Sequence, residues 1–385
     1  MYISFMDKKT GKVITAESRF PTPKNEEEFR KKEKSFEYLA NKASMISPSG
    51  DFSSHYRTEY RTKKNGSKRR LDVPDEELMK YQREVVKIFT TNLNFLFPNS
   101  VHGYVTGRNS KSLAKEHRNQ YQIIKVDIKD FFSSCTYDFV MNSITEVYPF
   151  NLVDFDILET IIRACMVFYD GKFRLPQGAP TSPLLSNIAM IPIDYDLQYS
   201  RLFNRNPYYD YTYTRYADDI FISHATFKVP KYSLEEQFLA ILFGETIEEE
   251  SIPLERDSEI IKRIIGRTIK SIEKCLKEHN QDFELNKSKT KIRYLTHGNV
   301  WMLRVTVGSD VKIGNKKKQK LKASLWSFLM DCKNGKPWTK KQTQKLIGKL
   351  GYAKYIEPKF VTDYVAKYER KSGMNFRNEI KKILC

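Results

Sequence analysis

The stretch TRYADDIFIS (214–223) restricts what this chain can fold into more than any other. From Tyr211 to Ser223 aromatic and β-branched residues flank one break, which predicts a strand, a tight turn and a second strand. Asp218 and Asp219 stand at that turn, where two like charges beside buried strands repel unless something neutralises them. The plain alternative is a polar turn, in which aspartate is common. A third carboxylate at the same point would decide between the two. IIKVDI (123–128) offers one, because it reads as a buried strand ending at Asp127. Neighbouring strands lie about 4.8 Å apart, so if these strands pair the three carboxylates converge. Such hard oxygen donors suit Mg²⁺, and two ions about 3.5–4 Å apart can drive an in-line phosphoryl displacement.

Charge points to the partner. Lys plus Arg number 66 against 47 Asp plus Glu, a net charge of +19 that implies a polyanion, either nucleic acid or an anionic membrane surface. The basic residues are spread along the chain and interleaved with Tyr and Phe, which favours nucleic acid. No apolar run approaches the roughly 18–20 residues that span a bilayer, and MYISFMDKKTGK has no signal-peptide core. A cytoplasmic protein without a membrane partner is therefore expected. The five cysteines form no CxxC pair, and the histidines show no metal-ligand spacing with a cysteine, so neither zinc nor a disulfide framework is expected.

Periodicity places the other elements. Residues 26–43 read as a charged helix with Phe29, Phe36, Leu39 and Ala40 near one face. RTEYRTKKNGSKRRLDVP (57–74) reads as a hairpin turning at Asn65-Gly66, followed by a helix over about 75–96. SPLLSNIAMIPIDYDL (182–197) reads as a helix capped by Ser182, and 226–258 as an acidic insertion. Residues 259–279 form a helix with one apolar stripe, and 283–295 and 301–307 read as strands. Beyond 311 a basic run leads into three helical stretches. The order strand–helix–hairpin–helix–strand in the middle is that of a split βαβ sheet.

Six blocks occur in one order: KKNGSKRRLDVP (63–74), VHGYVTGRN (101–109), VDIKDFFSS (126–134), LPQGAPTSPLLSN (175–187), YADD (216–219) and LNKSKTKI (285–292). They resemble the successive motifs of reverse transcriptases, in the bacterial retron-type group related to group II intron enzymes, over about residues 55–365. The resemblance implies an α+β right-hand polymerase with fingers, a split βαβ (ferredoxin-like) palm and a helical thumb. It divides the chain into an N-terminal extension (1–54), fingers (55–122), palm (123–310, with a fingers part at 129–180) and thumb (311–385). By position, Asp127, Asp218 and Asp219 match the catalytic triad that holds two Mg²⁺ ions. Phe132 matches the steric gate against a 2′-hydroxyl, whose bland reading is an ordinary core phenylalanine. Lys63, Arg69 and Arg70 match the basic hairpin that grips a triphosphate, together with Lys64. Gln177 and Gly178 match the segment under the incoming nucleotide. Lys287 or Lys289 matches the general acid for departing pyrophosphate. Lys316, Lys317, Lys318, Lys320 and Lys322 match nucleic-acid contacts of the thumb, where the bland reading is a solvated face.

The implied activity is RNA-directed DNA polymerisation, copying a structured noncoding RNA template and primer into nascent DNA from dNTPs, in antiviral defence. An effector or toxin protein is a further partner of that class. LAKEH (113–117) and VTVGSDVKI (305–313) depart from the retron pattern, the first with Leu113 where an asparagine is usual and the second with a displaced glycine. Retron and other defence reverse transcriptases, including ones with atypical priming or templating, therefore both stay open. The competing readings are an RNA polymerase on the same palm and a nonenzymatic RNA-binding protein with an inactive palm.

Overall fold

The computed structural model describes residues 5–6, 13–14, 24–63, 66–93, 97–199, 211–224, 228–230, 251–253, 259–295, 300–303 and 305–384. The chain divides into two compact units, residues 1–109 with 122–292 and residues 110–121 with 293–385. The expected boundary at 310 does not coincide with this division, since 293–310 group with the terminal helices.

The first unit is built on an antiparallel sheet running, from edge to edge, Lys291–Tyr294, Gln122–Asp127, Asp219–His224, Tyr211–Tyr216. In chain order that is fourth, first, third, second, the order of a split βαβ unit. Every residue of Gln122–Asp127 except Lys125 is buried. Register brings the carboxylates together: Tyr216 pairs with Asp219 across the turn, and Asp127 pairs with Asp219 on the other side. A one-residue slip would send one of these side chains to the opposite face.

The predicted helix 182–197 is two helices, Ser182–Ala189 and Ile191–Tyr199. Pro192 lies in the first turn of the second helix and has no N–H for a continuing ladder, which accounts for the break. Ser182 is not the cap. Its hydroxyl donates to the Pro176 carbonyl at 2.6 Å, and Thr181 takes the N-cap position. The long helix Glu259–His279 forms as expected and packs on Ile191–Tyr199, burying Ile261, Ile265, Thr268, Ile272, Cys275 and Leu276.

The basic hairpin pairs Tyr56–Thr62 with Lys68–Pro74. Lys64 and Asn65, at its expected turn, lie outside the described residues. Behind it, Lys24–Ile46 and Glu76–Leu93 meet in an aromatic cluster of Phe36, Phe89 and Phe150, with centroids 4.9–5.9 Å apart. The side chain of Phe29 lies outside the described residues. So does the acidic insertion, apart from a short ladder between Lys228–Pro230 and Ser251–Pro253. Residues 283–295 are not one strand. Leu285 bridges Ile128, Lys287–Lys289 form a 3-10 turn as the Asn286 carbonyl accepts from Lys289 and Thr290, and Lys291–Tyr294 resume the strand.

In the second unit, 301–307 is a hairpin rather than a strand: Val300–Met302 pairs with Val305–Val307, which pairs with Val311–Lys312. The chain reverses at Leu303, in left-handed backbone at φ +42°. Four helices follow among the described residues, not three: Asn315–Lys333, Lys340–Ile356, Pro358–Ser372 and Phe376–Leu384. Their core holds Leu325, Phe328, Leu329, Leu346, Leu350 and Ala353. Thr339 and Gln342 form a capping box, and Gly373 ends the third helix in left-handed backbone. Among the described residues no helix is long and apolar enough to cross a membrane.

Candidate active site

The aspartate hairpin ends in a two-residue turn, Ala217-Asp218, with Ala217 in left-handed backbone at φ +56°. Its position is fixed from two sides. The Asp218 carbonyl accepts from the Ile128 amide at 3.0 Å, and Gly103 lies so close that an added Cβ would stand 2.6 Å from the Ala217 nitrogen. Asp127, Asp218 and Asp219 thereby each bring a carboxylate oxygen within 4.8 Å of the others'.

Three such groups in a buried place cannot all ionise cheaply. Burial pushes the Asp218 carboxyl above the usual carboxylate range, with Asp127 adding repulsion. Burial likewise raises Asp219 to about 6, opposed by Lys125 and reinforced by Asp218 and Asp127. Two lysines answer this charge. Lys289 Nζ donates to both Asp127 oxygens at 2.8 and 3.1 Å, and Lys125 Nζ lies 2.7 Å from Asp219 Oδ1. Burial works against the Lys289 ammonium, but the bond to Asp127 outweighs it and holds the lysine above its ordinary pKa.

Beside the carboxylates opens a cavity of about 780 Å³, lined among others by Lys63, Arg69, Tyr104, Phe132, Gln177, Gly178, Asp218 and Lys289. Strand alternation separates the two arginines of the basic hairpin. Arg69 faces the cavity, whereas Arg70 Nε donates to both Asp72 oxygens at 2.9 and 3.0 Å, with its guanidinium 4.2 Å over the Tyr169 ring. Lys63 lies 4.0 Å from Asp130. Phe131 is buried against Phe283, and Phe132 is half-buried and lines the cavity. Gly178 serves a packing need of its own. It stands at φ +132°, and a Cβ there would come 3.0 Å from the Asp72 carbonyl oxygen, while the Asp72 amide donates to the Gln177 carbonyl. Lys287 is not among the cavity-lining residues; Lys289 is.

In the second unit, Lys316 and Lys320 are exposed one helical turn apart. Lys318 pairs with Glu357 at 2.6 Å, Lys322 sits 3.9 Å over the Tyr364 ring, and Lys317 4.6 Å over Trp301.

Sequence reasoning passed over several site residues. Lys125 could have been found from alternation, since it shares a strand face with Asp127. Tyr104, Asn286 and Ser288 also line the cavity; they lie in the blocks at 101–109 and 285–292, where nothing local singles them out from their neighbours. It also missed that Cys275 and His279 lie one helical turn apart. With Asp196 they form a second cluster of metal-ligand type among the described residues, joined by a 2.7 Å hydrogen bond between His279 Nε2 and Asp196 Oδ2.

A sheet of this order, carrying convergent carboxylates beside a basic cavity, is the arrangement of a reverse-transcriptase-type polymerase fold. Residues 62–329 match the family described as reverse transcriptase (RNA-dependent DNA polymerase), and the chain belongs to that family. Its curated relatives include the retron Mx162 reverse transcriptase of Myxococcus xanthus, 34% identical over 47% of this chain and 38% of that protein. The retron Ec73 reverse transcriptase of Escherichia coli is 28% identical over 73% of this chain and 78% of that one. The match thus spans well under half the length of the first of these. Among solved structures, a truncated apo telomerase of Candida tropicalis aligns at 12% identity with a TM-score of 0.43, over 69% of this chain and 56% of that one.

Proposed function

We propose that the chain is an RNA-directed DNA polymerase that copies a structured noncoding RNA into DNA by nucleotidyl transfer at Asp127, Asp218 and Asp219. The observation that carries this reading is the cavity onto which Asp218, Phe132 and the basic hairpin all open, with Asp127 and Asp219 clustered against Asp218. The donor set fits Mg²⁺: all oxygen, mutually repelling, and already drawing two lysine ammoniums. Two Mg²⁺ ions bound there would activate the attacking hydroxyl and offset charge on the leaving oxygen.

The remaining steps fall to side chains. Arg69 and Lys63 hold the triphosphate by charge-assisted hydrogen bonds, and Arg70 acts indirectly by fixing Asp72 and with it the strand against Gln177-Gly178. The Phe132 ring lies under the sugar and excludes a 2′-hydroxyl. Lys289 Nζ donates the proton to departing pyrophosphate, a role its contact with Asp127 favours over Lys287. On this reading the first unit comprises fingers and palm, and the part of the second from about residue 293 is the thumb. Three lysines in the first turn of Asn315–Lys333 oppose the helix dipole, an unfavourable placement that phosphate contacts would offset. The defence role, an effector partner and a cytoplasmic setting rest on the retron-type resemblance.

The test is primer extension on an RNA template, with dNTPs against NTPs and Mg²⁺ against EDTA. DNA synthesis that needs dNTPs and Mg²⁺ is expected. Incorporation of NTPs but not dNTPs, or no metal dependence, would overturn the reading.

A further inference from the structure

Beneath the aspartate turn lies an ion pair entirely shut from solvent: the side chains of Arg215 and Asp194 are both 0% exposed. Arg215 Nε and Nη2 donate to the two Asp194 oxygens at 2.7 and 2.6 Å, and the Tyr213 hydroxyl donates to Asp194 Oδ1 at 2.6 Å. A buried pair of this kind is often no more stabilising than apolar residues of the same volume, so its presence calls for another account. The remaining guanidinium nitrogen gives one. Arg215 Nη1 donates to the Ala217 carbonyl at 3.2 Å and to Asn187 Oδ1 at 2.9 Å. Asn187 Nδ2 in turn donates to the Gly103 carbonyl at 2.6 Å, and Gly103 is the residue pressed against the Ala217 nitrogen.

One connected set of hydrogen bonds therefore holds both flanks of a turn whose left-handed alanine would relax without support. It joins four segments, the glycine loop at 103, the helices that carry Asn187 and Asp194, and the aspartate hairpin. Arg215, Asn187 and Asp194 are not among the residues lining the cavity, so they reach the reacting groups only through Ala217 and Asp218.

We infer that Arg215, Asn187 and Asp194 are positioning residues that set the Asp218 carboxylate in register with Asp127 and Asp219. This rests on the polymerase reading above. A group that merely balances the buried Asp194 charge would be replaced well by lysine. A group that must fork to Asp194, Asn187 and the Ala217 carbonyl together would not.

The experiment compares the wild type with Arg215→Lys and with Asn187→Ala, which leaves the Arg215–Asp194 pair in place. Each is assayed by single-nucleotide extension for kcat and KM, by loss of the free Mn²⁺ resonance for metal affinity, and by thermal melting. Both variants should melt cooperatively and keep the dNTP KM within about twofold. Their kcat should fall on the order of 10²-fold, the cost of a misplacement near 1 Å, and Mn²⁺ affinity should weaken. Wild-type kcat and Mn²⁺ affinity in a folded variant would overturn the inference, as would a change confined to KM. If Arg215→Lys does not fold, Asn187→Ala decides by the same criteria. If the wild type itself extends no primer, the polymerase reading fails, while Mn²⁺ affinity in Asn187→Ala still decides the positioning claim: weakened binding supports it and unchanged binding overturns it.

Discussion

Replacing Gly103 by alanine tests how firmly the aspartate turn is held. The added Cβ would stand 2.6 Å from the Ala217 nitrogen, 3.0 Å from the Tyr216 carbonyl carbon and 3.1 Å from the Tyr216 Cα. All three are backbone atoms, so no rotamer change can relieve the contact. Ordinary contact begins at 3.4 Å, and the turn must therefore withdraw by about 0.8 Å. Overpacking of this kind costs about 1–3 kcal/mol of stability. Its effect on catalysis is larger, because Asp218 follows Ala217 directly, and a displacement of this size costs on the order of 10² in rate. Single-nucleotide extension should show that loss in kcat with little change in dNTP KM, since Arg69, Lys63 and Phe132 lie on other segments. Gly351→Ala is the control: it sits within Lys340–Ile356 with nothing within 4 Å of its added Cβ. It should leave the rate unchanged and stabilise by up to about 1 kcal/mol. A Gly103→Ala enzyme with wild-type kcat would refute the claim that this loop sets the turn.

Phe132→Ala should admit ribonucleotides, read as a rise in the NTP-to-dNTP incorporation ratio, and unchanged sugar selection would remove the gate assignment. Asp219→Asn should stabilise the metal-free protein near neutral pH. With a folded pKa of about 6 against an unfolded value near 3.8, the carboxylate carries a penalty at pH 7 that proton uptake relieves as pH falls through 6. The gain from asparagine is about 3 kcal/mol at most, disappearing below about pH 4. Denaturant melts in EDTA at both pH values check this, and destabilisation at pH 7 would contradict it. Lys316→Ala with Lys320→Ala should weaken RNA binding and flatten its dependence on log salt by roughly 0.7 per lost phosphate contact; an unchanged slope in a filter-binding titration would take these two exposed lysines out of the nucleic-acid interface.

What could be read from sequence was what depends on local periodicity and ordered motifs. The strands around Asp218 and Asp219, the strand ending at Asp127 and the stripe on Glu259–His279 each announce themselves within a dozen or two residues. Failures came where tertiary contacts overrode local pattern. Nothing in VWMLRVTV marks Leu303 as a left-handed reversal, since no glycine or asparagine stands there. Ser182 satisfies every rule for an N-cap, yet its hydroxyl is claimed by the Pro176 carbonyl. Arg70 matches the same motif as Arg69, although strand alternation alone puts neighbours on opposite faces. The buried Arg215 network was invisible because its members come from residues 103, 187, 194 and 215, and no window covers them.

Asp127, Asp218 and Asp219 are proposed to form the catalytic metal centre of a polymerase. The most direct measurement is DNA synthesis by Asp218→Asn on a primed RNA template, with RNA binding measured on the same preparation. Synthesis should be abolished while RNA affinity stays within about twofold of the wild type, because Lys316, Lys320 and the basic hairpin are untouched. Synthesis near the wild-type rate, or RNA binding that collapses together with it, would contradict the account and make these aspartates part of the fold alone.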